Sequence, residues 1–312
     1  MLSQPLFVLN ALVLRGDSSP PEGARRARPG YNVNRAGEGI EDAATRDRAL
    51  AMSPTPQLEW EAYDEYWRKV HGPKILHPDG PNDQQTGVLT YYLQQHRLPA
   101  GPSSQRAPPY APPLDAQGLL PRTPAASCAV HVRPAFDGMA QLGYRTRADL
   151  EAFFATEGTK YGEKIMSDEA VFIRGFAFHV AEEHVVIQRG DRRRDPVILT
   201  KLHQRASGWS REEFRGRWMA QHADLLRSLS GGAGLVRRYA QLVNIGREGD
   251  TLFDAVGDGY DGIGVYSFAN MNDCEDFVGG ADHAALVADE RHFAAESSFF
   301  TTLNYVIRDL TT

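Results

Sequence analysis

Two histidines in the first third of the chain stand where they could exchange protons with a bound molecule. His96 shares one face of a predicted strand with Tyr92 and Gln94, because residues two apart point the same way in an extended chain. His71 ends the predicted helix that precedes this strand. Imidazole titrates near neutral pH, so one histidine can accept a proton while the other donates one. The pair therefore predicts general acid and base catalysis.

Tyr92 and Asp137 complete the predicted catalytic set. Tyr92 could orient a histidine or bind a developing enolate, and Asp137, at the start of a strand, could fix a tautomer or act as a base. The alternative is structural. In that interpretation His71 forms a local bond at its helix end, and His96 is a polar residue of an edge strand.

The helix predicted over residues 210–229 carries the clearest local signals. Ser210 and Glu213 have the spacing of a capping box, which marks a helix start. An aromatic residue, a tryptophan and a histidine then recur every four residues on one face. This pattern occurs twice, at Phe214, Trp218 and His222 and at Tyr63, Trp67 and His71.

The order of predicted elements is the same in the two halves of the chain. Each half reads strand, helix, strand, strand, helix, strand, which is the ferredoxin-like order. Equivalent motif residues are Trp67 and Trp218, His71 and His222, Tyr92-x-Gln94 and Tyr239-x-Gln241, Asp137-Gly138 and Asp261-Gly262, and Asp168-Glu169 and Asp289-Glu290. Such a series of matches in sequence order indicates an internal duplication.

The duplication predicts two domains, residues 1–190 and 191–312, each long enough for its own core. The first domain contains two irregular insertions, at about 16–56 and 99–124, and the second of these is rich in proline. Long irregular segments inside a compact domain are typical of lids and binding loops. Interface padding and disorder are the alternatives.

These ordered motifs resemble the EthD domain of the dimeric α+β-barrel superfamily. The resemblance rests on Trp-x-x-x-His in the first helix, Tyr-x-Gln-x-His in the second strand, Asp-Gly before the third strand and Asp-Glu late in the second helix. It implies an α+β fold of two ferredoxin-like (β-α-β-β-α-β) repeats in one chain, packed sheet to sheet as an α+β barrel. Packing is expected because each sheet has one face covered by its own helices and one face that needs a partner. A pocket is implied between that open face and the helices.

The resemblance also implies proton-transfer chemistry without a cofactor on cyclic or aromatic, polyketide-like molecules. We therefore expect a lyase or isomerase that dehydrates, decarboxylates or isomerises a lactone, with no cofactor and no metal. Its partner is expected to be a small hydrophobic or aromatic substrate. Residues expected to contact this substrate are Trp67, Gln94, His222, Tyr239 and Asp261.

The second half departs from the family pattern, because Val243 stands where His96 stands in the first half. Either that half is structural, or its remaining motif residues act alone, or His203 supplies the missing imidazole. His203 lies on the predicted strand equivalent to residues 6–14. We favour one principal site, in the first half.

Composition excludes several classes of function. The chain is 42% hydrophobic and 24% charged, as in ordinary soluble proteins. A net charge of −6 argues against a nucleic-acid partner, and no apolar run of about 18 residues predicts a membrane span. Two cysteines without metal-type spacing indicate a reducing compartment. We expect a cytoplasmic protein, either a monomer with an internal pseudo-dimer or a homodimer.

Three other functions remain open at this point. They are a cofactor-free monooxygenase, a haem enzyme of the α+β-barrel type and a non-catalytic binder of small molecules. Against haem, Asp258 stands where the Gly-x-x-Asp-Gly motif of peroxidases has its first glycine. Oxygen uptake, an absorbance scan near the Soret band and ligand affinity after alanine substitution of both histidines would separate them.

Overall fold

The computed structural model describes most of the chain. The described residues are 5–15, 25–26, 60–76, 87–98, 101–104, 136–155, 160–229, 232–250 and 253–311. The predicted insertions at 16–56 and 99–124 lie almost entirely outside the described residues, so their role stays a prediction.

The described strands pair antiparallel throughout. They are Leu6–Arg15 (β1), Arg25–Arg26 (β2), Leu89–Arg97 (β3), Gly138–Tyr144 (β4), Ile173–Gln188 (β5), Val197–Arg205 (β6), Arg238–Asn244 (β7), Gly262–Phe268 (β8) and Ala294–Asp309 (β9). The two-residue β2 pairs only with the beginning of β5. The other eight strands form the sheet that organises the molecule.

These eight strands close into a single antiparallel barrel in the order β1-β4-β3-β9-β6-β8-β7-β5, with β5 pairing back to β1. The predicted fold class, two ferredoxin-like repeats packed sheet to sheet, is therefore wrong. The halves join edge to edge through β3–β9 and β5–β7. Edge strands present unpaired backbone N–H and C=O groups, and closure into a barrel satisfies them. The prediction considered only the uncovered faces of the sheets and not their edges.

The helices lie outside this barrel. They are Trp60–Tyr66 (α1), Gly72–Leu76 (α2), Arg147–Phe154 (α3), Lys160–Phe172 (α4), Arg211–Arg217 (α5), Ala223–Ser228 (α6), Gly232–Leu235 (α7), Ala255–Asp258 (α8), Met271–Gly279 (α9) and Ala281–Glu290 (α10). The predicted helix of residues 210–229 is confirmed, and Ser210 forms the predicted capping box with Glu213. In the described part of the chain, no helix is both long enough and apolar enough to cross a membrane.

Two π turns interrupt the helices that carry the repeated motif. The turn Trp67–His71 joins α1 to α2, and Trp218–His222 joins α5 to α6. His71 is predicted to end the first helix, yet helical structure continues through α2 to Leu76. Pro73 therefore lies inside this helical stretch, directly after the π turn, and not beyond its end.

Alternation along each strand separates two kinds of core. Inward side chains from both halves fill the barrel, among them Leu12, Tyr91, Met139, Leu202, Ile263 and Phe300. Outward side chains pack beneath the helices in two layers. The first-half layer is built around Trp67 and Tyr92, and the second-half layer around Tyr239 and Tyr266 together with the cluster of Trp218.

A chain of polar side chains crosses the barrel interior and links the halves. The Gln141 amide donates to Asn10 (3.0 Å), and the Gln95 amide donates to Gln141 (2.7 Å). The Thr200 hydroxyl donates to Gln95 (2.9 Å), and Asn10 lies 3.2 Å from Nδ1 of His179. Buried polar groups need such partners, and these side chains already bond one another, so we assign them a structural role. The candidate chemistry lies instead in the outer layers.

Candidate functional site

The motif residues of the first half contact one another between the helices and the sheet. The π turn places the carbonyl of Trp67 where the Gln94 amide donates to it (3.0 Å). Gly138 lies under the indole, since a Cβ there would come within 2.8 Å of the Trp67 ring. The Asp-Gly glycine thus makes room for the tryptophan, and the strand glutamine holds the turn. Short π segments of this kind are frequent at functional sites.

His71 is held by a buried carboxylate from α4. Its Nδ1 lies 2.8 Å from Oδ2 of Asp168, and both side chains are buried. Asp168 also accepts from Tyr66 (2.7 Å) and pairs with Lys74. Burial alone would raise the pKa of Asp168, but the bonds from His71 and Lys74 outweigh it and lower that pKa. The aspartate stays ionised and leaves Nε2 of His71 as the available nitrogen.

His96 has a second, separate carboxylate. Its Nδ1 lies 2.6 Å from Asp64 of α1, and its Nε2 lies 3.3 Å from the amide oxygen of Gln94. The ring stacks on Trp67 with centroids 4.2 Å apart. Burial lowers the pKa of His96, while Asp64 opposes that shift. Both nitrogens are engaged, so His96 is less free than His71 to act as a base.

The structure brings the two predicted histidines into one aromatic layer without bonding them to each other. Phe172 lies between them, 4.9 Å from the His71 ring and 6.2 Å from the Trp67 ring on which His96 stacks. Tyr92 is in the same layer, where its hydroxyl accepts from Gln94 (2.8 Å). The first-half residues therefore share a site, but each histidine has its own acidic partner.

The two aspartates of the Asp-Gly motifs lie at the sheet end in ion pairs. Asp137 accepts from Arg97 (3.0 Å), and both are buried. Asp261 accepts from the backbone N–H of Arg205 (2.8 Å), pairs with the same guanidinium and lies 3.4 Å from Nε of Arg211. These positions place the predicted base Asp137 and the predicted substrate contact Asp261 beside arginines rather than histidines.

The second half repeats the contacts of the first. The Gln241 amide donates to the Trp218 carbonyl (2.8 Å), and Nδ1 of His222 lies 2.9 Å from Asp289. A Cβ on Gly262 would approach the Trp218 ring to 2.2 Å. Five motif positions therefore form the same module in each half.

The layers differ beside that module. With Val243 in place of His96, the imidazole next to Trp218 comes from His203, whose ring lies edge-on at 5.2 Å. A buried ion pair, Lys201–Glu290 at 2.6 Å, is also present, and Glu290 lies 3.7 Å from Nε2 of His222. Tyr239 stacks on Tyr266 in the same layer, with centroids 4.2 Å apart.

The carboxylates that bind His71, His222 and His96 were not identified from the sequence. Asp168 and Asp289 were matched as a repeat but not assigned to the site, although a carboxylate that recurs with a histidine is a signal for pairing. Asp64 has no counterpart in the second half, where Arg215 occupies its position, so the repeat offered no signal for it. In the described ranges, no group of three or more His, Cys, Asp and Glu side chains could hold a metal ion.

A charged cleft of about 760 Å³ opens at the junction of the halves, where Phe7 and Ile245 of its lining pack against the first-half layer. Its lining includes Phe7, Arg147, Glu182, Arg211, Arg215 and Arg247. Most of these charges are already paired, as in Arg215 with Glu182 (3.0 Å) and Arg147 with Asp250 (3.1 Å). The cleft is polar and open, unlike the apolar pocket that the resemblance implied.

Solved structures resemble the barrel at low similarity. A protein assigned as a monooxygenase from Lactobacillus acidophilus NCFM is 10% identical with a TM-score of 0.42, over 97% of this chain and 94% of that one. An anthrone oxidase-like protein is 11% identical with a TM-score of 0.44, over 99% and 96%. A chlorite dismutase variant from Candidatus Nitrospira defluvii is 12% identical with a TM-score of 0.36, over 96% and 92%. At these values the likeness says nothing about activity.

No curated protein sequence matches the chain. The family model described as the EthD domain matches it in two segments, residues 55–175 and 206–297. These segments contain both π turns, both Asp-Gly motifs and both histidine–aspartate pairs described above. They cover more than half of the residues, and one segment lies in each half of the barrel. The chain belongs to the EthD family.

Proposed function

We propose that this protein is a small-molecule-processing enzyme that works by proton transfer without a cofactor. The reaction class we favour is that of a lyase or isomerase acting on a small cyclic or aromatic, polyketide-like substrate. Membership of the EthD family supports an enzyme of this general kind. The observation that carries the proposal is the buried pair of His71 and Asp168, 2.8 Å apart.

The pair supplies a base with a defined orientation. Because ionised Asp168 can only accept hydrogen bonds, the Nδ1 of neutral His71 carries the proton and Nε2 carries the lone pair. In our proposal Nε2 removes a proton from a carbon next to a substrate carbonyl, and Asp168 stabilises the imidazolium that forms. The breaking C–H bond leaves its electron pair on the substrate as an enolate.

The surroundings of His71 favour an apolar, ring-shaped substrate. Tyr66, Phe172 and Trp67 provide aromatic surface on the helix side of the layer. Aromatic side chains bind flat rings through stacked or edge-on contacts. In the proposal, His96 exchanges its 3.3 Å contact with the Gln94 oxygen for the substrate and, with Tyr92, donates to a developing negative charge from the strand side.

Deuterium exchange into 2-tetralone, a fused-ring aromatic ketone, tests the proposal by NMR in deuterated buffer. We expect the wild-type protein to accelerate exchange at the carbon next to the carbonyl, and His71→Ala to lose about 100-fold or more of that acceleration. His222→Ala is the matched variant, because it removes the equivalent histidine and leaves the equivalent aspartate. Circular dichroism verifies that both variants are folded.

The two variants separate three outcomes. Loss in His71→Ala alone supports the first-half site. Loss in His222→Ala alone moves the chemistry to the second half. Acceleration that neither substitution reduces removes both histidines from the mechanism, and a lactone substrate is assayed in parallel so that the result does not depend on one ketone.

A further inference from the structure

Strand register allows the two halves to be compared residue by residue. Ala11 of β1 pairs with Ala140, and Lys201 of β6 pairs with Gly264. Both pairs lie two residues beyond the glycine of an Asp-Gly motif. Ala11 therefore occupies, in the first-half layer, the place that Lys201 occupies in the second.

The helices align in the same way. The Asp-Glu pairs at the ends of α4 and α10 are followed three residues later by Phe172 and Phe293, each of which contacts the helix histidine of its own half. Counting back along the two helices matches Gly162 with His283. Glu169 corresponds to Glu290.

The first-half layer has smaller side chains around the glutamate. Ala11, Leu142 and Gly162 stand where the second half has Lys201, Tyr266 and His283. In the second half these larger groups are all buried, and Lys201 contacts Glu290 directly. Replacing large side chains by small ones in such a layer leaves volume that a bound molecule can occupy.

Within the described part of the chain, the first-half glutamate also lacks the cation of its counterpart. Glu290 is paired with Lys201 at 2.6 Å. Among the residues that the structure describes, the only charge that acts on Glu169 is that of the neighbouring Asp168. His71 of the first π turn and Lys74 of α2 bind Asp168 instead.

We propose that Glu169 is a further catalytic residue of the first-half site and acts as its proton donor. In this proposal the substrate ring binds beside Glu169, on the side of Ala11, Leu142 and Gly162. This inference rests on the proposed function of His71. It is supported by the second half, where the equivalent carboxylate lies 3.7 Å from Nε2 of the equivalent histidine.

The pKa of Glu169 suits the role of a proton donor. Glu169 keeps part of its surface exposed, yet desolvation by the surrounding protein, assisted by the negative charge of Asp168, raises the pKa of Glu169 to about 8. At neutral pH the group is then mostly protonated and can donate. A carboxylic acid kept neutral by its surroundings is one way in which enzymes obtain an acid that works at pH 7.

The proton transfers balance. Nε2 of His71 takes a proton from the substrate carbon, and the Glu169 carboxyl gives one to the carbonyl oxygen, so an enol forms from a ketone. In a dehydration the Glu169 proton goes to the leaving hydroxyl instead, the C–O bond breaks and water departs. Either way His71 ends as imidazolium and Glu169 as carboxylate, and exchange with solvent restores both.

Carboxyl titration tests the state of Glu169 without any ligand. The full chain is labelled with 13C at the glutamate side-chain carboxyl, and its NMR signals are followed from pH 4 to pH 10. We expect one signal to titrate near pH 8 in the wild type, to vanish in Glu169→Gln and to persist in Glu163→Gln, an exposed position on the same helix. A Glu169 signal that titrates below about pH 5, as ordinary glutamates do, overturns the inference.

Ala11→Lys restores the cation of the second half. We expect it to lower the titration point of Glu169 by about 1 to 3 pH units, the usual effect of an opposite charge a few ångströms away. Should this variant not fold, the comparison of Glu169→Gln with Glu163→Gln decides alone.

The exchange assay separates this inference from the proposed function. We expect Glu169→Gln to slow exchange by about 100-fold and to abolish the loss of rate near pH 8, whereas Glu163→Gln leaves both unchanged. If His71→Ala slows exchange but Glu169→Gln does not, the role of Glu169 is overturned and the proposed function stands. If neither slows it, the proposed function fails and the role of Glu169 fails with it.

Discussion

The indole of Trp67 lies almost parallel to the imidazole of His96, with ring planes 12° apart and centroids at 4.2 Å. In the other half the tryptophan meets a histidine edge-on, because that histidine, His203, comes from the first strand of the half and not the second. The duplication has thus kept a tryptophan beside an imidazole while changing the strand that supplies it.

Close packing of Trp218 on β8 makes Gly262 intolerant of any side chain. A Cβ there would come within 2.2 Å of the indole, so we expect Gly262→Ala to destabilise the protein by about 1–3 kcal/mol through overpacking. Gly216→Ala is the control, since a Cβ there meets nothing within 4 Å, and alanine in a helix stabilises by about 0.5–1 kcal/mol. Urea unfolding measures both changes, and equal values in the two variants would contradict the close approach.

The buried ion pair Lys201–Glu290 is expected to be strongly coupled. Lys201→Met leaves a carboxylate without its cation in a layer where both side chains are almost fully buried, and we expect a loss of about 3–5 kcal/mol. The double variant Lys201→Met/Glu290→Leu should recover most of that loss, because no charge is then left unpaired. A double-mutant cycle by chemical denaturation tests this. Additive losses would show that the pair is not coupled.

A second buried cluster, at one end of the barrel, is expected to govern acid stability. Burial alone would raise the pKa of Glu183, but Arg192 (2.5 Å) and Arg238 (2.6 Å) outweigh it and lower the pKa from 4.5 to about 2. A lowered folded pKa means that this stabilisation is complete above pH 4.5 and is lost as the pH falls towards 2.

Glu183→Gln should therefore remove that part of the acid dependence. At pH 7 it should also destabilise the fold by about 3–5 kcal/mol, since two buried arginines lose their carboxylate. Unfolding free energies measured from pH 7 down to pH 2 give both quantities. Wild-type and variant curves that stay parallel below pH 4.5 would refute the assignment.

His179 should make the free energy of unfolding depend on pH in a different range. Burial, with the nearby charge of Arg211, lowers its pKa from 6.5 to about 3, so the folded protein holds it neutral while the unfolded chain binds a proton. Its contribution is full above pH 6.5 and falls as the pH drops towards 3. We expect His179→Gln to reduce the slope of stability against pH in this window. Unfolding by urea at several pH values measures the slope, and an unchanged slope would argue against a neutral buried imidazole.

Much of the local structure follows from the sequence. The capping box at Ser210 and the helical face of Trp218 and His222 depend on residues within a few positions of each other, and both are found as expected. Placing Tyr92, Gln94 and His96 on one strand face needed only the two-residue period of an extended chain. The recurrence of these short patterns was enough to recognise the duplication.

Contacts between distant elements could be decided only by the tertiary structure. Alternation of apolar and polar residues indicates which face of each strand is buried. No local pattern shows which strand edges pair, so the closed barrel was missed. Asp168 binds His71 across 97 residues, and Asp64 binds His96 across 32, because helices dock on strands at particular rotations. The pairing of Lys201 with Glu290, and the alanine that stands in place of this lysine in the first half, likewise depend on strand register and not on any local pattern. Residue spacing determines local structure such as helix caps and strand faces. Which side chains contact each other in a buried layer depends instead on how whole helices and strands pack.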